Sequence, residues 1–182
     1  MFADIRGFTA MVESQSPEET IELLNTYYTL MFDAISGHGG VVNQMIGDGL
    51  MAILGARLPL ADHAGSAVRA AQEMIEMIEG FNQERLASNK VPIKIGIGVA
   101  TGEMVAGYTG TKARATYTCI GDTVNLAARL EAHTKLAQRA ILIDDATCAC
   151  LGSGVVEAMG AVAFKGKAAA VAVFAVGDGV ID

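Results

Sequence analysis

Apolar side chains recur along this chain with two different spacings, and each spacing predicts one type of secondary structure. A repeat of three to four residues follows Ser16-Pro17-Glu18-Glu19, which is typical of the capped start of a helix. Short apolar runs flank Gly47-Asp48-Gly49, and an Asp-Gly pair in such a setting predicts a β-hairpin. The predicted elements are a strand that ends near Asp4, a helix at 17–37, strands at 41–46 and 50–54, a helix at 62–87 and a strand at 93–99.

The order of these elements is strand, helix, strand, strand, helix, strand, which predicts an α+β fold with a ferredoxin-like βαββαβ core. We expect an antiparallel sheet with both helices on one face. The rest of the chain is expected to extend this antiparallel-rich sheet. Its predicted elements are strands at 104–107 and 116–120, a helix from 121, a strand at 140–143, a short helix after Asp144, and strands at 155–164 and 171–176.

Length and charge narrow the possible classes of protein. The 182 residues suffice for one domain, predicted at 1–182, and only three residues precede Asp4, so we expect it to be part of a longer chain. The net charge of −7 disfavours nucleic acid and anionic membranes as partners. No apolar run reaches membrane length, and three cysteines suggest no disulfide framework. We therefore expect a cytoplasmic location, in a free protein or as the cytoplasmic domain of a membrane-attached one, without membrane contact by this segment.

Two aspartates stand at the ends of predicted strands. Asp4 closes the first strand and Asp48 lies at the tip of the hairpin. Because these strands are neighbours in the predicted fold, both carboxylates can converge on one edge of the sheet, and paired carboxylates suit Mg²⁺. Each aspartate alone has a simpler interpretation, since Asp-Gly is good turn chemistry and Asp4 fits a cap or loop. The pair by itself supports a metal site only weakly.

Four ordered motifs resemble the catalytic domain of class III adenylate and guanylate cyclases. The resemblance extends to residue 167, which is essentially the whole chain. It implies a class III nucleotidyl cyclase fold, a head-to-tail homodimer with shared active sites, and conversion of a nucleoside triphosphate to a 3′,5′-cyclic monophosphate and pyrophosphate. The motifs are 2–9 (FADIRGFT), 45–52 (MIGDGLMA), 96–102 (GIGVATG) and 117–131 (YTCIGDTVNLAARLE).

Residue by residue, the resemblance implies two divalent ions per site, Mg²⁺ or Mn²⁺, and a set of protein groups around them. The metal ligands it implies are Asp4, Asp48 and the backbone carbonyl of Ile5. Asn125 and Arg129, four residues apart on one helix face, match the pair that orients the ribose and stabilises charge on the α-phosphate. The phosphate contacts it implies include the backbone amides from Ile5 to Thr9, and therefore those of Gly7, Phe8 and Thr9. The side chains it implies are Lys165, with Lys167 as second choice, and Arg114, which aligns loosely.

Base recognition departs from the commonest pattern of the family. The position that usually holds lysine in adenylate cyclases and glutamate in guanylate cyclases is Gln44, whose amide both donates and accepts hydrogen bonds. Thr118 matches the second base-selecting position, and threonine there is common among bacterial adenylate cyclases. We predict an adenylate cyclase that uses ATP and produces cyclic AMP for signal transduction. A guanylate or dual-specificity cyclase is the first alternative.

Two further alternatives belong to other classes. A catalytically weak, cyclase-like module that binds nucleotide or dimerises within a sensor would be expected to lack an aspartate or the Asn125/Arg129 pair, and this chain retains them. A diguanylate-forming domain would need a Gly-Gly-acidic hairpin, whereas Gly39-Gly40 is followed by two valines. The retained residues favour an active cyclase.

Overall fold

The computed structural model describes residues 1–56, 59–111, 114–152 and 156–177, and the side chains of Arg114 and Thr116 fall outside this description. Nine strands and five helices follow one another in this part of the chain. The elements are β1 (Phe2–Ile5), α1 (Phe8–Val12), α2 (Pro17–Gly37), β2 (Gly40–Ile46), β3 (Gly49–Leu54), α3 (His63–Ala87), β4 (Ile95–Val99), β5 (Val105–Thr111), β6 (Arg114–Ile120), α4 (Asp122–Ala137), β7 (Ile141–Asp144), α5 (Asp145–Cys150), β8 (Val156–Val162) and β9 (Val171–Val176).

The start of α2 shows how the local sequence determines where a helix begins. The Ser16 hydroxyl accepts a hydrogen bond from the Glu19 amide at 3.1 Å, and the Glu19 carboxylate accepts one from the Ser16 amide at 3.0 Å. This reciprocal capping box satisfies two amides that a helix start leaves unpaired. The apolar stripe that follows is fully buried at Tyr27, Met31 and Ile35, so α2 packs with its predicted face on the core.

Seven strands form one sheet in the order β2-β3-β1-β4-β7-β9-β8. The first four strands have the ferredoxin-like order and pair antiparallel, which confirms the predicted fold class. The sheet is extended by β7, β9 and β8 as predicted, although β7 pairs parallel to β4. The strands β5 and β6 form a separate two-stranded ribbon, and both run longer than the predicted 104–107 and 116–120.

The two faces of β4 carry different residues and meet different helices. Ile95, Ile97 and Val99 are buried in the larger core, which also contains α2 and α3. Gly96 and Gly98 alternate with them on the other face, where a Cβ at Gly98 would overlap the backbone of α4. The missing side chains therefore let α4 lie directly on the sheet. The helices α2 and α3 share one face as predicted, and α4 covers the other.

The short helix α1 was not predicted. It begins after Gly7, whose φ of 69° lies in the left-handed region that glycine adopts without strain. Its five residues are too few to show a helical repeat in the sequence.

The predicted start of the eighth strand at 155 lies outside the described residues, and β8 is seen from Val156. None of the helices within the described ranges is both long enough and apolar enough to cross a membrane.

Candidate active site

The two predicted metal aspartates meet at one edge of the sheet. Asp4 lies near the end of β1, Asp48 lies in the turn between β2 and β3, and pairing of Ala3 with Leu50 brings the turn beside the strand. The carboxyl groups of Asp4 and Asp48 share a hydrogen bond. The pKa of Asp48 is raised to about 7, mainly by its partial burial and then by the hydrogen bond with Asp4 and the charge of Asp4. Two carboxylates this close need a proton or a cation between them.

The donors at this edge suit a hard divalent cation. Both side chains offer only oxygen, and the backbone of Ile5 follows directly, with its amide donating to Asp4 Oδ1 at 3.0 Å. Within the described ranges, no group of three or more histidine, cysteine, aspartate or glutamate side chains could hold a metal ion. Any ion here would therefore complete its coordination with backbone carbonyl, solvent or substrate oxygens, as Mg²⁺ commonly does.

The predicted phosphate loop follows the same strand. Gly7 reverses the chain, and Phe8 and Thr9 are the first residues of α1. The first amides of a helix have no partner within the helix, and here the ladder starts with the Met11 amide donating to the Gly7 carbonyl at 3.0 Å. The amides of Phe8 and Thr9 thus stand at a helix start close to the aspartates, as the phosphate assignment requires.

A partly buried arginine that the sequence analysis did not identify joins this edge to α4. Arg6 Nη2 donates to the Glu131 carbonyl at 2.9 Å, to Glu131 Oε1 at 2.6 Å and to the Thr134 hydroxyl. A Cβ at Gly96 would overlap the guanidinium, so Arg6 can lie there only because β4 has a glycine at that position. The alternation of glycine along β4 was the one signal of this contact.

The predicted Asn125/Arg129 pair lies on α4, and the arginine is only partly used by its own chain. Asn125 is exposed, whereas Arg129 is half-buried with its Nη1 atom inaccessible and without a hydrogen-bond partner in the described part of the chain. A Cβ at Gly166 would lie 3.1 Å from Arg129 Nη2, which places the guanidinium against the turn between β8 and β9. The structure therefore brings Arg129 next to the turn that carries Lys165.

The two lysines of that turn differ in their surroundings. Lys167 forms an ion pair with Asp122 at the start of α4. Lys165 is exposed, and none of the reported ion pairs among the described residues involves it. This difference favours Lys165 over Lys167 as the phosphate contact. The side chain of Arg114, the other predicted phosphate contact, lies outside the described residues.

The two predicted base-selecting residues touch each other. The Gln44 side-chain amide donates to the Thr118 hydroxyl oxygen at 3.2 Å, and the neighbouring Asn43 donates to the Tyr117 carbonyl at 3.4 Å. A shift of register between Val42 and Gln44 interrupts the pairing of β2 with β3 just before this contact. The ribbon strand β6 runs directly into α4, so this pair stands near the start of the helix that carries Asn125.

The predicted site residues form two groups within the chain. Glu131 faces Arg6 at the end of β1, whereas Arg129 faces Gly166 in the turn between β8 and β9. No hydrogen bond or ion pair reported among the described residues joins Asp4 or Asp48 to Asn125, Arg129 or Lys165. The aspartate edge therefore meets the side of α4 that carries Glu131, whereas the outer side of α4, with Asn125 and Arg129, faces the turn between β8 and β9.

Comparisons with known proteins agree on one family. Residues 1–177 match the adenylate and guanylate cyclase catalytic domain family. The chain is 36% identical over 97% of its length to adenylate cyclase 1 of Rhizobium meliloti (strain 1021), and it spans only 27% of that relative. The crystal structure of the adenylyl cyclase CyaB from P. aeruginosa matches with a TM-score of 0.90 at 32% identity, over 97% of this chain and 91% of that one.

A guanylyl cyclase matches about as well. The crystal structure of the guanylyl cyclase Cya2 has a TM-score of 0.86 at 35% identity, over 97% of this chain and 91% of that one. Cyclases of both base specificities thus share this fold and much of this sequence. The enzyme class that the motifs predict is confirmed, and adenylate cyclase relatives support the adenylate assignment. The chain belongs to the adenylate and guanylate cyclase catalytic domain family.

Proposed function

We propose that this domain cyclises a nucleoside triphosphate, with ATP favoured, to a 3′,5′-cyclic monophosphate and pyrophosphate in a homodimer. The observation that carries the proposal is the convergence of Asp4 and Asp48 at one edge of the sheet. Partial burial and the neighbouring Asp4 raise the pKa of Asp48, so the ionised Asp48 carboxylate is costly to leave without a cation. A site for divalent cations explains why the fold brings the two side chains together.

Asp4, Asp48 and the Ile5 carbonyl would hold two divalent ions, Mg²⁺ or Mn²⁺. When bound, such ions lower the pKa of the attacking 3′-hydroxyl and neutralise charge on the leaving pyrophosphate. The oxygen-only donor set fits both metals. The amides of Phe8 and Thr9, at the start of α1, would donate hydrogen bonds to phosphate oxygens of the same substrate.

The outer side of α4 would supply the groups that contact the ribose and the phosphates of the substrate. The planar guanidinium of Arg129 has a buried nitrogen without a partner among the described residues, and a phosphate oxygen is a suitable acceptor for it. Asn125 lies one helical turn before it and can orient the ribose. Lys165, in the turn against Arg129, adds a cation for the polyphosphate.

Two copies of the chain are needed to bring these groups together. Because the outer side of α4 faces the turn between β8 and β9 rather than the aspartate edge, a substrate that touches both would lie between two chains. A two-fold dimer places each surface of one copy against the other surface of its partner, which forms two equivalent sites. Exposed apolar side chains at Met45, Val105, Tyr108 and Ile120 on β2 and the ribbon provide an apolar surface for such an interface.

The contact between Gln44 and Thr118 decides which groups face the base. Because the Gln44 amide nitrogen donates to Thr118, its carbonyl oxygen is left as an acceptor and the Thr118 hydroxyl is left as a donor. Adenine offers an amino donor beside a ring acceptor, which matches this pair. Guanine offers two adjacent donors, for which Gln44 has a single oxygen. This geometry supports ATP, while rotation of the amide keeps a guanylate or dual-specificity cyclase as the alternative.

The alternative of another class is a catalytically weak, cyclase-like module that binds nucleotide or merely dimerises within a sensor protein. The retained geometry argues against it, since the aspartate pair, the free nitrogen of Arg129 and the Gln44–Thr118 contact are all present. Each would be unnecessary in a protein that only dimerises.

Product identification tests the proposal. The domain is incubated with Mn²⁺ or Mg²⁺ and with ATP or GTP separately, and the products are resolved by chromatography and mass spectrometry. We expect 3′,5′-cyclic AMP and pyrophosphate in equal amounts, and no product after chelation of the metal. Formation of neither cyclic nucleotide by a folded dimer would contradict the proposal, and cyclic GMP alone would replace ATP by GTP.

A further inference from the structure

A tyrosine from α2 reaches across to the turn that carries Asp48. The Tyr28 hydroxyl donates to the Gly47 carbonyl oxygen, and it has a second, longer contact of 3.4 Å with the Gly49 carbonyl oxygen. These are the backbone carbonyls on both sides of Asp48. One side chain on a long, capped helix therefore contacts the backbone on both sides of a predicted metal ligand.

The turn needs such a restraint for two reasons. Gly47 has a φ of 64° and is exposed, so the turn has little packing of its own around it. The carboxyl groups of Asp48 and Asp4 also lie within hydrogen-bond reach, so the direction of the Asp48 side chain decides whether both can face one ion. Fixing the two flanking carbonyls limits rotation of the backbone and so the direction in which the Asp48 side chain leaves it.

We propose that Tyr28 is a positioning residue that holds Asp48 where it can share a divalent cation with Asp4. The inference rests on the proposed function only in that it takes Asp48 as a metal ligand. In this role Tyr28 contributes no ligand atom, and its hydroxyl acts by donating to the turn backbone. It acts in the way that partners of metal ligands generally do, by fixing the orientation of a ligand before the ion arrives.

The preceding residue provides a matched control. Tyr27 has its ring 5.3 Å from that of Tyr28, and it is fully buried with a hydroxyl that has no hydrogen-bond partner in the described part of the chain. Changing either tyrosine to phenylalanine removes one hydroxyl group from a side chain of α2. Only Tyr28→Phe removes a hydrogen bond to the turn, so the pair of variants separates an effect on Asp48 from an effect on the core.

The test measures Mn²⁺ binding without nucleotide, by titration calorimetry or by the electron paramagnetic resonance signal of free Mn²⁺. The wild type, Tyr28→Phe, Tyr27→Phe and Asp48→Ala are compared, and thermal unfolding is recorded on the same samples. We expect Tyr28→Phe to weaken Mn²⁺ binding about threefold to tenfold, which is the effect of losing one hydrogen bond. Tyr27→Phe should bind as the wild type does, and turnover of Tyr28→Phe should recover when Mn²⁺ is raised to saturation.

The outcomes separate this inference from the proposed function. Wild-type Mn²⁺ affinity in Tyr28→Phe would overturn the inference, as would an equal loss in both tyrosine variants, which would indicate a general effect on the core. If Asp48→Ala binds Mn²⁺ as tightly as the wild type, the metal role of Asp48 fails and the inference fails with it. A lower melting temperature of Tyr28→Phe with unchanged Mn²⁺ affinity would also contradict a positioning role.

Discussion

The aspartate edge and the outer side of α4 differ in how far one chain completes them. At the edge, Asp4 and Asp48 contact each other, and Tyr28 holds the turn between β2 and β3. On the outer side of α4, Asn125 is exposed and one nitrogen of Arg129 is buried without a partner in the described part of the chain. The first region is assembled within the chain, whereas the second has groups directed at something the chain does not provide.

This difference supports the proposed homodimer on physical grounds. A buried guanidinium nitrogen without an acceptor costs stability, so its retention is reasonable only if an anion pairs with it at some stage. The aspartate pair has the opposite requirement, because two neighbouring carboxylates need a cation or a proton between them. A polyphosphate with divalent ions, bound between two chains, satisfies both regions at once.

Removing either aspartate should have the largest effect. We expect Asp4→Ala or Asp48→Ala to lower turnover by about a thousandfold or more, because each loses a shared metal ligand and the several kcal/mol of charge stabilisation that depends on it. Each residue lies at a sheet edge outside the core, so circular dichroism and thermal unfolding should remain close to the wild type. Asp33→Ala, at an exposed aspartate of α2, is the control. Substantial metal-dependent cyclisation by either variant would refute the assignment.

Changing Gln44 should move base selection without touching the aspartate edge. Gln44→Lys should raise the ATP over GTP ratio of kcat/KM by about tenfold to a hundredfold, as expected for a hydrogen bond from a charged donor. Gln44→Glu should move the ratio toward GTP, incompletely while Thr118 remains. Both ratios are measured at one metal concentration. If neither substitution changes the ratio, Gln44 does not face the base.

Arg6 joins the aspartate edge to the side of α4 that carries Glu131, and a single methyl group can break this contact. Gly96→Ala places a Cβ on the guanidinium of Arg6, so we expect a loss of about 1–3 kcal/mol of unfolding free energy. Gly80→Ala is the matched control, because it lies within α3 with open space around it, and alanine should stabilise that helix by about 0.5–1 kcal/mol. Chemical denaturation measures both, and equal stability of the two variants would contradict a tight contact between Arg6 and β4.

The smallest effect concerns the pH dependence of the metal-free protein. The pKa of Asp48 is raised to about 7, above the ordinary value near 4 that an unfolded chain would have, so the native state binds the proton more tightly. Its contribution to stability is therefore complete below about pH 4 and is lost as the pH rises through about 7. Asp48→Asn should flatten this decline when melting temperatures in chelator are compared between pH 5 and pH 8. An equally steep decline in the variant would show that other groups cause it.

The sequence predicted those features that depend on neighbouring residues. The capping box at Ser16, the hairpin around Asp48 and the order of the first six main elements all appear as expected. The contact of Gln44 with Thr118 follows from the family resemblance, since 74 residues separate them. Local pattern and motif together therefore located the residues, although their roles stay predictions.

What the sequence missed depends on packing between distant elements. The separation of the ribbon from the main sheet and the placement of α4 on the glycine face of β4 are set by tertiary contacts that no local pattern records. Arg6 belongs to the best-matched motif, yet its contact with Glu131 became visible only in the structure. The hydrogen bonds of Tyr28 were hidden in the same way, because tyrosine in an apolar stripe is indistinguishable from a core residue.

Mixing two inactive variants tests the shared site most directly. Asp4→Ala and Arg129→Ala impair opposite regions, so their heterodimer has one site with both changes and one site with neither. At equal amounts and with random exchange, about half of the dimers are heterodimers, and activity should recover to about one quarter of the wild type. A mixture of Asp4→Ala with Asp48→Ala should stay inactive, since both impair the same region. No recovery in the first mixture, with subunit exchange demonstrated by fluorescence energy transfer, would contradict a site formed by two chains.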